Sequence, residues 1–412
     1  MSKLDELIRE YCPDGVEYRK LEDCCTVLDK KRKPVTKAAR EAGEYPYYGA
    51  NGIQDYVSDY IFDGTFVLVG EDGSVITKAG TPVVTWAEGK IWVNNHAHII
   101  EETDGVLLRY LFHYIQTIDV THLIHGNIPK LTGGDFRALQ IPVPPLPVQS
   151  EIVRILDNFT ELTAELTAEL TARKKQYEFY RDKLLTCDDN IVVKRIGDIT
   201  RVFSASRVHK DEWTTEGVPF YRSSDVISYF NGVENSRGKA YISKELYEKL
   251  SAKSGKICKD DILITGGGTI GVPYIVPNDE PIYMKDADLL CIQHAKEFDS
   301  RYLYHYFLST PFRDYLKGIT HDATIPHYTI SQICETPVPL PSLDVQKRIV
   351  NVLDNFDAIC SDLKIGLPAE IEARQKQYEF YRDALLTYAA TGKTILTDRQ
   401  TDRQTDRQTE HN

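Results

Sequence analysis

The chain has 412 residues, 42% of them hydrophobic, with a formal net charge of −12 and eight cysteines. That length calls for two or three domains with sizeable cores, no apolar run reaches a membrane span, and the acidic balance counts against free-standing affinity for nucleic acid. The cysteines show no CxxC and no regular spacing, so free buried thiols in a cytoplasmic protein are expected, and the opening MSKLDELIREYC has no signal-peptide core.

Residues 2–11 read as a short helix, stopped by Pro13-Asp14-Gly15. A strand-like entry, 16–28, leads into a run from Lys30 to Arg40 that holds six basic residues and no acidic one (Lys30, Lys31, Arg32, Lys33, Lys37, Arg40). Such a run is either a solvated loop or an arm that contacts phosphates. Residues 44–100 alternate short apolar runs with Gly, Asn and Asp turns, a β-rich pattern. Helices are expected at 106–118 and 132–139, before the Pro-rich linker 142–147.

The stretch 147–186 then reads PVQSEIVRILDNFTELTAELTAELTARKKQYEFYRDKLLT, with nearly all steps between apolar residues of one stripe three or four and no further Gly or Pro. Forty helical residues span about 60 Å, which suits a coiled-coil spacer better than an ordinary globular helix. The same text returns. Val345-Gln346 and Leu353-Asp354-Asn355-Phe356 repeat Val148-Gln149 and Leu156-Asp157-Asn158-Phe159 at an offset of 197, and Gln377–Asp383 repeats the QYEFYRD of Gln176–Asp182 at an offset of 201. The offset changes by four, the length of one TAEL unit, which the first copy carries twice (Thr163–Leu166, Thr167–Leu170).

Weaker echoes link the intervening segments. Val218-Pro219-Phe220-Tyr221 follows Tyr45-Pro46-Tyr47-Tyr48, Asp286-Ala287-Asp288 takes the place of His96-Ala97-His98, and Arg301–Tyr306 follows Arg109–Tyr114. The chain is therefore two copies of one unit, each a β-rich globular part and a long helix. The expected fold class is α+β, with two pseudo-repeated β-rich domains (1–146 and 187–341) separated by two long antiparallel coiled-coil helices. These are a central one at 147–186 and a C-terminal one at 342–396, broken near Gly366-Leu367-Pro368. The TDRQ units of 397–412 contain no apolar residue and are expected to be disordered.

The helices match even at polar positions that an amphipathic helix would turn outward: Gln149, Asp157, Asn158, Glu178, Arg181 and Asp182, repeated as Gln346, Asp354, Asn355, Glu379, Arg382 and Asp383. Core packing does not require this, so each helix is expected to meet the same partner. The globular parts keep a skeleton and otherwise diverge, as expected of two heads with different targets.

Catalytic chemistry is not evident. Gly266–Gly271 matches GxGxxG, but the extended Val272-Pro273-Tyr274-Ile275 follows where a dinucleotide site needs a helix. Gly392-Lys393-Thr394 lacks the first glycine of a phosphate loop. His96 and His98 could reach a metal from one strand face, yet no third ligand is evident, and no metal site is expected. No nucleophile–base constellation has persuasive spacing.

The order globular part, helix, globular part, helix resembles the specificity (S) subunits of Type I restriction–modification enzymes along almost the whole chain. The carriers are Cys12–Glu17, the TAEL pair, Gly366–Tyr378 and both QYEFYRD segments, and the TAEL pair looks like the subgroup in which such units set recognition spacing. The resemblance implies two target recognition domains on a bipartite double-stranded DNA site, two modification (M) subunits docked on the helices, and restriction (R) subunits joining the assembly. It implies no catalytic residue and no cofactor on this chain, with S-adenosylmethionine, ATP and Mg²⁺ on the partner subunits. DNA contact is then expected at Lys30, Lys31, Arg32, Lys33, Lys37, Arg40, Tyr48, Asn51 and Lys78 of the first domain. In the second it is expected at Arg207, Lys210, Arg222 and Ser223. The alternative is a non-catalytic, two-headed coiled-coil adaptor for protein partners.

Overall fold

The computed structural model describes residues 2–73, 75–124, 128–186, 191–236, 238–320, 327–362 and 364–391. The 397–412 tail and Gly392-Lys393-Thr394 lie outside them. The chain forms two compact units, 1–166 with 371–412, and 167–370.

The first unit begins with α1 (Lys3–Tyr11), started by a reciprocal Ser2–Asp5 capping box. Next come β1 (Glu17–Lys20), β2 (Thr26–Val27), β3 (Ala42–Gly49), β4 (Gly52–Val57), β5 (Phe62–Gly70), β6 (Val84–Val93) and β7 (Ala97–Glu101), then α2 (Leu108–Ile115), α3 (Gly133–Arg137) and β8 (Gln140–Val143). One six-stranded sheet has the order β2-β7-β5-β6-β3-β4. Central β5 is buried on both faces because its apolar run does not alternate. Val67 and Val69 enter the core shared with α1, α2 and the long helices, while Phe66 and Leu68 face a second cluster with Ile91, Val93 and Ile99. β1 pairs antiparallel with β8 and so ties the entry of the domain to its exit.

The central helix, α4 (Leu146–Leu185), runs 40 residues and crosses from the first unit into the second. The second unit continues with β9 (Val193–Arg195), α5 (Ile196–Ile199), β10 (Val202–Ser204), β11 (Val218–Tyr221), α6 (Ser223–Phe230), β12 (Tyr241–Ile242), α7 (Lys244–Ser254), β13 (Ile262–Thr265) and β14 (Pro273–Ile275). It ends with β15 (Tyr283–Met284), β16 (Leu289–Ile292), α8 (Ser300–Leu308), α9 (Thr310–Thr320), α10 (Ile330–Glu335), β17 (Pro337–Pro339), α11 (Leu343–Ser361) and the start of α12 (Leu367–Thr391). Its strands are short and lie in sheets β10-β16-β13-β14 and β12-β11-β15, with β17 on β9 repeating the β8–β1 closure. This unit carries more helix than the echoes of the first domain suggest.

Two local expectations resolve cleanly. Gly266–Gly271 is the turn between antiparallel β13 and β14, with no helix after it. A Cβ on Gly271 (φ +76°) would stand 2.6 Å from Leu316, so glycine is required there. The C-terminal helix breaks between the end of α11 at Ser361 and the start of α12 at Leu367, at the expected Gly366. The Asp362 carboxylate accepts from the N–H groups of Lys364 and Ile365, and a Cβ on Gly366 would lie 2.6 Å from the carbonyls of Ala358 and Asp362. α12 restarts at Leu367, with Pro368 in its first turn, where a missing N–H is no loss.

Within each unit two long helical segments run antiparallel, and the same contact recurs. Phe159 stacks on Tyr381 at 5.3 Å in the first unit, and Tyr180 on Phe356 at 5.6 Å in the second. Each pair joins the LDNF phenylalanine of one copy to a QYEFYRD tyrosine of the other.

Candidate DNA interface and helix network

The basic run divides by burial. Lys30, Lys31, Lys33 and Lys37 are exposed, as are Asn51, in the β3–β4 turn, and Lys78. Arg32 is not available. Its guanidinium donates to the Glu71 carboxylate at 2.6 Å and to the carbonyls of Ala97 and Asp29 at 2.6 and 2.9 Å. Arg40 is likewise half-buried, 3.2 Å from Asp55 and 4.1 Å above the Tyr47 ring. Tyr48 is in the core. In the second unit Arg207 and Lys210 are exposed, but Arg222 and Ser223 are buried. Arg222 braces Asp225 at 2.8 Å, and the Ser223 hydroxyl donates to the Asp288 carbonyl at 2.7 Å. The expectation of DNA contact is corrected for Arg32, Arg40, Tyr48, Arg222 and Ser223: their polar atoms or rings are committed inside the fold. A run such as KKRK does not disclose which of its members has a buried carboxylate to meet.

His98 does gather carboxylates that its sequence neighbours did not reveal: Asp29, Glu71 and His98 lie within metal-ligand reach of one another. The arrangement is an ion-pair cluster already supplied with cations. Arg32 bridges both carboxylates, Lys130 stands 3.4 Å from Glu71 and Arg137 3.7 Å from Asp29. Both His98 nitrogens face protein acceptors, Asp29 at 2.8 Å and the Leu131 carbonyl at 3.0 Å, so neither is turned to an open ligand position. Hydrogen bonding also corrects the alignment of the copies. Glu71 N–H donates to His96 O as Gly266 N–H does to Asp288 O, both at 2.8 Å. His96 therefore corresponds to Asp288, two residues from the sequence echo.

The repeated polar residues of the helices mostly point inward, which corrects the expectation of a uniformly outward set. Gln149 and Gln346 are fully buried. Gln149 accepts from Leu107 N–H at 2.9 Å and donates to the carbonyls of Gly105 (3.0 Å) and Pro144 (2.7 Å). Gln346 accepts from Asp299 N–H at 2.8 Å and donates to Glu297 O and Pro341 O at 3.3 and 2.8 Å. In both copies one amide ties the first turn of the helix to the start of the α2 or α8 helix and to the proline linker.

Asp157 and Asp354 each anchor a four-residue relay. In the first unit the carboxylate accepts from Arg109 Nε at 2.7 Å and His113 Nε2 at 3.0 Å, and the other ring nitrogen of buried His113 accepts from the Tyr378 hydroxyl at 2.8 Å. In the second, Asp354 accepts from Arg301 Nε at 2.9 Å and His305 Nε2 at 2.8 Å, and His305 Nδ1 accepts from Tyr177 at 2.9 Å. A carboxylate can only accept, which fixes the tautomer. Burial alone would raise both aspartates, but the His and Arg bonds hold them below the usual carboxylate range. Burial likewise pushes His113 below the ordinary histidine value, so the relay of the first unit is an ionised Asp157 beside a neutral imidazole.

Arg181 is buried against Asp182, whose carboxylate also accepts from Thr310 N–H at 3.0 Å; Arg382 packs beside Asp383 and over the Tyr378 ring. Asn158, Asn355, Glu178, Glu379 and Asp383 remain exposed, in company with Phe179, Tyr180, Tyr381, Val352 and Ile359. Of the QYEFYRD tyrosines, Tyr177 and Tyr378 pack into the cores, while Tyr180 and Tyr381 are more than 40% exposed. Arg109, His113, Arg301 and His305 were missed, although the echo of RYLFHY in RYLYHY already placed an Arg and a His four residues apart in both copies.

The sequence profile described as "Type I restriction modification DNA specificity domain" matches residues 13–173 and 188–373. The chain is 37% identical over 385 residues to a putative type I restriction enzyme specificity subunit of Haemophilus influenzae, covering 91% of this chain and 96% of that one. It is 30% identical over 307 residues to the EcoR124I/EcoR124II specificity subunit of Escherichia coli, covering 70% and 72%. Among solved structures, a chain from work on assembly and conformational transition of the type I R-M system has the same fold with a TM-score of 0.57 at 15% identity, covering 92% of this chain and 98% of that one.

Proposed function

Because the chain belongs to the family of Type I restriction–modification specificity subunits, we propose that its two globular domains each read one half of a bipartite site in double-stranded DNA. Two M subunits dock on the helices, R subunits join through the assembled complex, and the whole works in the cytoplasm. The chain itself is non-catalytic. S-adenosylmethionine for adenine methylation, and ATP and Mg²⁺ for cleavage, belong to the partners. Exposed Lys30, Lys31, Lys33 and Lys37 grip the first half-site and Arg207 and Lys210 the second, as phosphate contacts that position without reading sequence.

The observation that carries this reading is the doubled relay. Tyr, His, Asp and Arg clamp a helical segment to a globular domain in the same way twice, while the surfaces of the two domains differ. A repeated clamp that carries two unlike heads is what a bipartite reader requires. Exposed Phe179, Tyr180, Tyr381, Val352 and Ile359, with Asn158, Asn355, Glu178, Glu379 and Asp383 among them, supply a mixed surface for M subunits. The TAEL pair makes α4 a ruler: one unit adds about 6 Å and turns the helix end by about 40°, close to the roughly 34–36° between base pairs.

The test is the adenine-methylation pattern of genomic DNA from cells holding this chain and its M subunit. A bipartite motif is expected, with a spacer that shifts by one pair when one TAEL unit is deleted and with both halves kept. A stable M complex that leaves no motif would refute the DNA-reading role and favour the adaptor.

A further inference from the structure

The two domains share a scaffold at one edge and differ in what they hang from it. In the first unit β3 runs parallel to β6 (Tyr47↔Trp92) and antiparallel to β4, with Pro46 opposite Tyr56 and Tyr45 opposite Val57. In the second, β11 runs parallel to β15 (Phe220↔Tyr283) and antiparallel to β12, with Pro219 opposite Tyr241 and Val218 opposite Ile242. The registers coincide, so β4 and β12 are the same strand of the repeat. What lies between differs. The first unit turns back through Ala50-Asn51, whereas the second makes an excursion, Arg222–Ala240, that contains α6.

The excursion is pinned by hydrogen bonds of Arg222 and Asn235 and exposes apolar side chains at its tip. Arg222 holds Asp225 at 2.8 Å and reaches the Gly238 carbonyl, and the Asn235 amide donates to Asp225 at 2.5 Å. Tyr229 is 72% exposed, Phe230 43% and Val233 59%. Tyr229 stands edge-on to Tyr274 at 5.0 Å, so its ring is aimed, not loose. Beside it is a cleft of about 340 Å³ lined by Tyr221, Ser228, Asn235 and Lys239 among others. Below lies the small core of Val208, Phe220, Ala240 and Tyr283, which also carries the loop of exposed Arg207 and Lys210. The first unit, with only a turn in that place, exposes Ile53 and, at the position of Tyr241, Tyr56 on β4, next to Asn51.

We propose that the segment after the shared strand is the base-reading element of each domain: Tyr229, Phe230 and Val233 with the cleft in the second, and Asn51, Ile53 and Tyr56 in the first. The inference rests on the DNA-reading function proposed above and assigns its specificity. Its occupant is the edge of base pairs in a groove of duplex DNA. Lys239 and Glu234 line the cleft together, and the exposed side chains described around them are apolar, which suits base edges rather than phosphates. Exposed Arg207 and Lys210 on the same small core supply those contacts at the rim. Preordered apolar groups with an amide and hydroxyls nearby suit thymine methyls and base edges.

The experiment is methylome sequencing of cells expressing the M subunit with Tyr229→Ala, Val233→Ala, or, in the first domain, Tyr56→Ala. These side chains are exposed, so the fold survives their loss, and co-purification of each variant with the M subunit checks this. The first two are expected to relax one or two positions of one half-site, with discrimination there falling on the order of tenfold to hundredfold, and to leave the other half unchanged. Tyr56→Ala is expected to relax only the other half. Unchanged motifs in all three variants, or uniform weakening without a change of motif, would overturn the assignment. A wild-type complex with no bipartite motif would instead overturn the underlying function.

Discussion

Replacing Gln149 by alanine separates an intramolecular clamp from a docking residue. The side chain is fully buried, and its amide serves Leu107 N–H, Gly105 O and Pro144 O. Gly105 lies in an exposed turn, so its carbonyl regains water, while Leu107 N–H and the buried Pro144 carbonyl lose their partners. At about 1–3 kcal/mol per orphaned group, discounted for partial relaxation, the cost is about 2–4 kcal/mol. For a unit of this size each kcal/mol lowers the melting midpoint by about 2–4 °C, so a fall of about 4–16 °C is expected. Gln346→Ala should do the same to the second unit through Asp299, Glu297 and Pro341. Calorimetry of the purified chain, without partners, makes the measurement. An unchanged midpoint combined with lost M binding would refute the clamp and restore the outward reading.

Three further outcomes follow from the same geometry. Tyr378→Phe leaves His113 Nδ1 without its donor and should cost about 1–2 kcal/mol; in a double-mutant cycle with His113→Leu the two losses should fall short of additivity, and full additivity would deny the relay. Stability of the first unit should drop on acidification in two stages. Burial sets His113 below its ordinary 6.5, and Arg154 and Lys3 hold Glu151 at about 2 against its ordinary 4.5. Both folded values are depressed, so the unfolded chain binds more protons and stability rises with pH in each window. It is complete above about pH 6.5, falls just below that, and falls again below about 4.5, as thermal melts across pH would show. Finally, Lys30→Ala, Lys31→Ala and Lys33→Ala together should reduce the salt slope of DNA binding by roughly 0.9 per lost phosphate contact without lowering the melting midpoint. Arg32→Ala, which strands Glu71 and Asp29, should lower the midpoint instead. The opposite pattern would place Arg32 on the surface.

The long helix, the break near Gly366, and the doubling of the chain were legible because period, punctuation and repeated text are local signals. The partners of the repeated polar residues were not. Identity at Gln149 and Gln346, or Asp157 and Asp354, is equally compatible with a shared external partner and with a shared internal one. The deciding contacts join residues as far apart as His113 and Tyr378, 265 positions in sequence. The basic run misled for a related reason: Arg32 finds Glu71 and the carbonyls of Asp29 and Ala97 within reach where Lys31 and Lys33 face solvent, and the fold alone supplies those acceptors. The YPYY and VPFY echo located the strand that both domains share, but nothing in it foretold that one copy would continue into a tight turn and the other into a helix.

The discontinuity of the first unit bears on how the polypeptide acquires its shape during synthesis. Leu386 and Ala389 belong to the same core as Leu4, Ile8, Val148 and Ile152, yet roughly 200 residues of the other unit are translated in between. At about 5–20 residues per second the first domain waits some 10–40 s for the segment that completes it. The second unit is continuous from 167 to 370 and closes without delay. For that interval the apolar stripe of α4 that packs with Leu386 and Ala389 lacks its partner, so the core of the first unit is completed only when the last turns of α12 emerge.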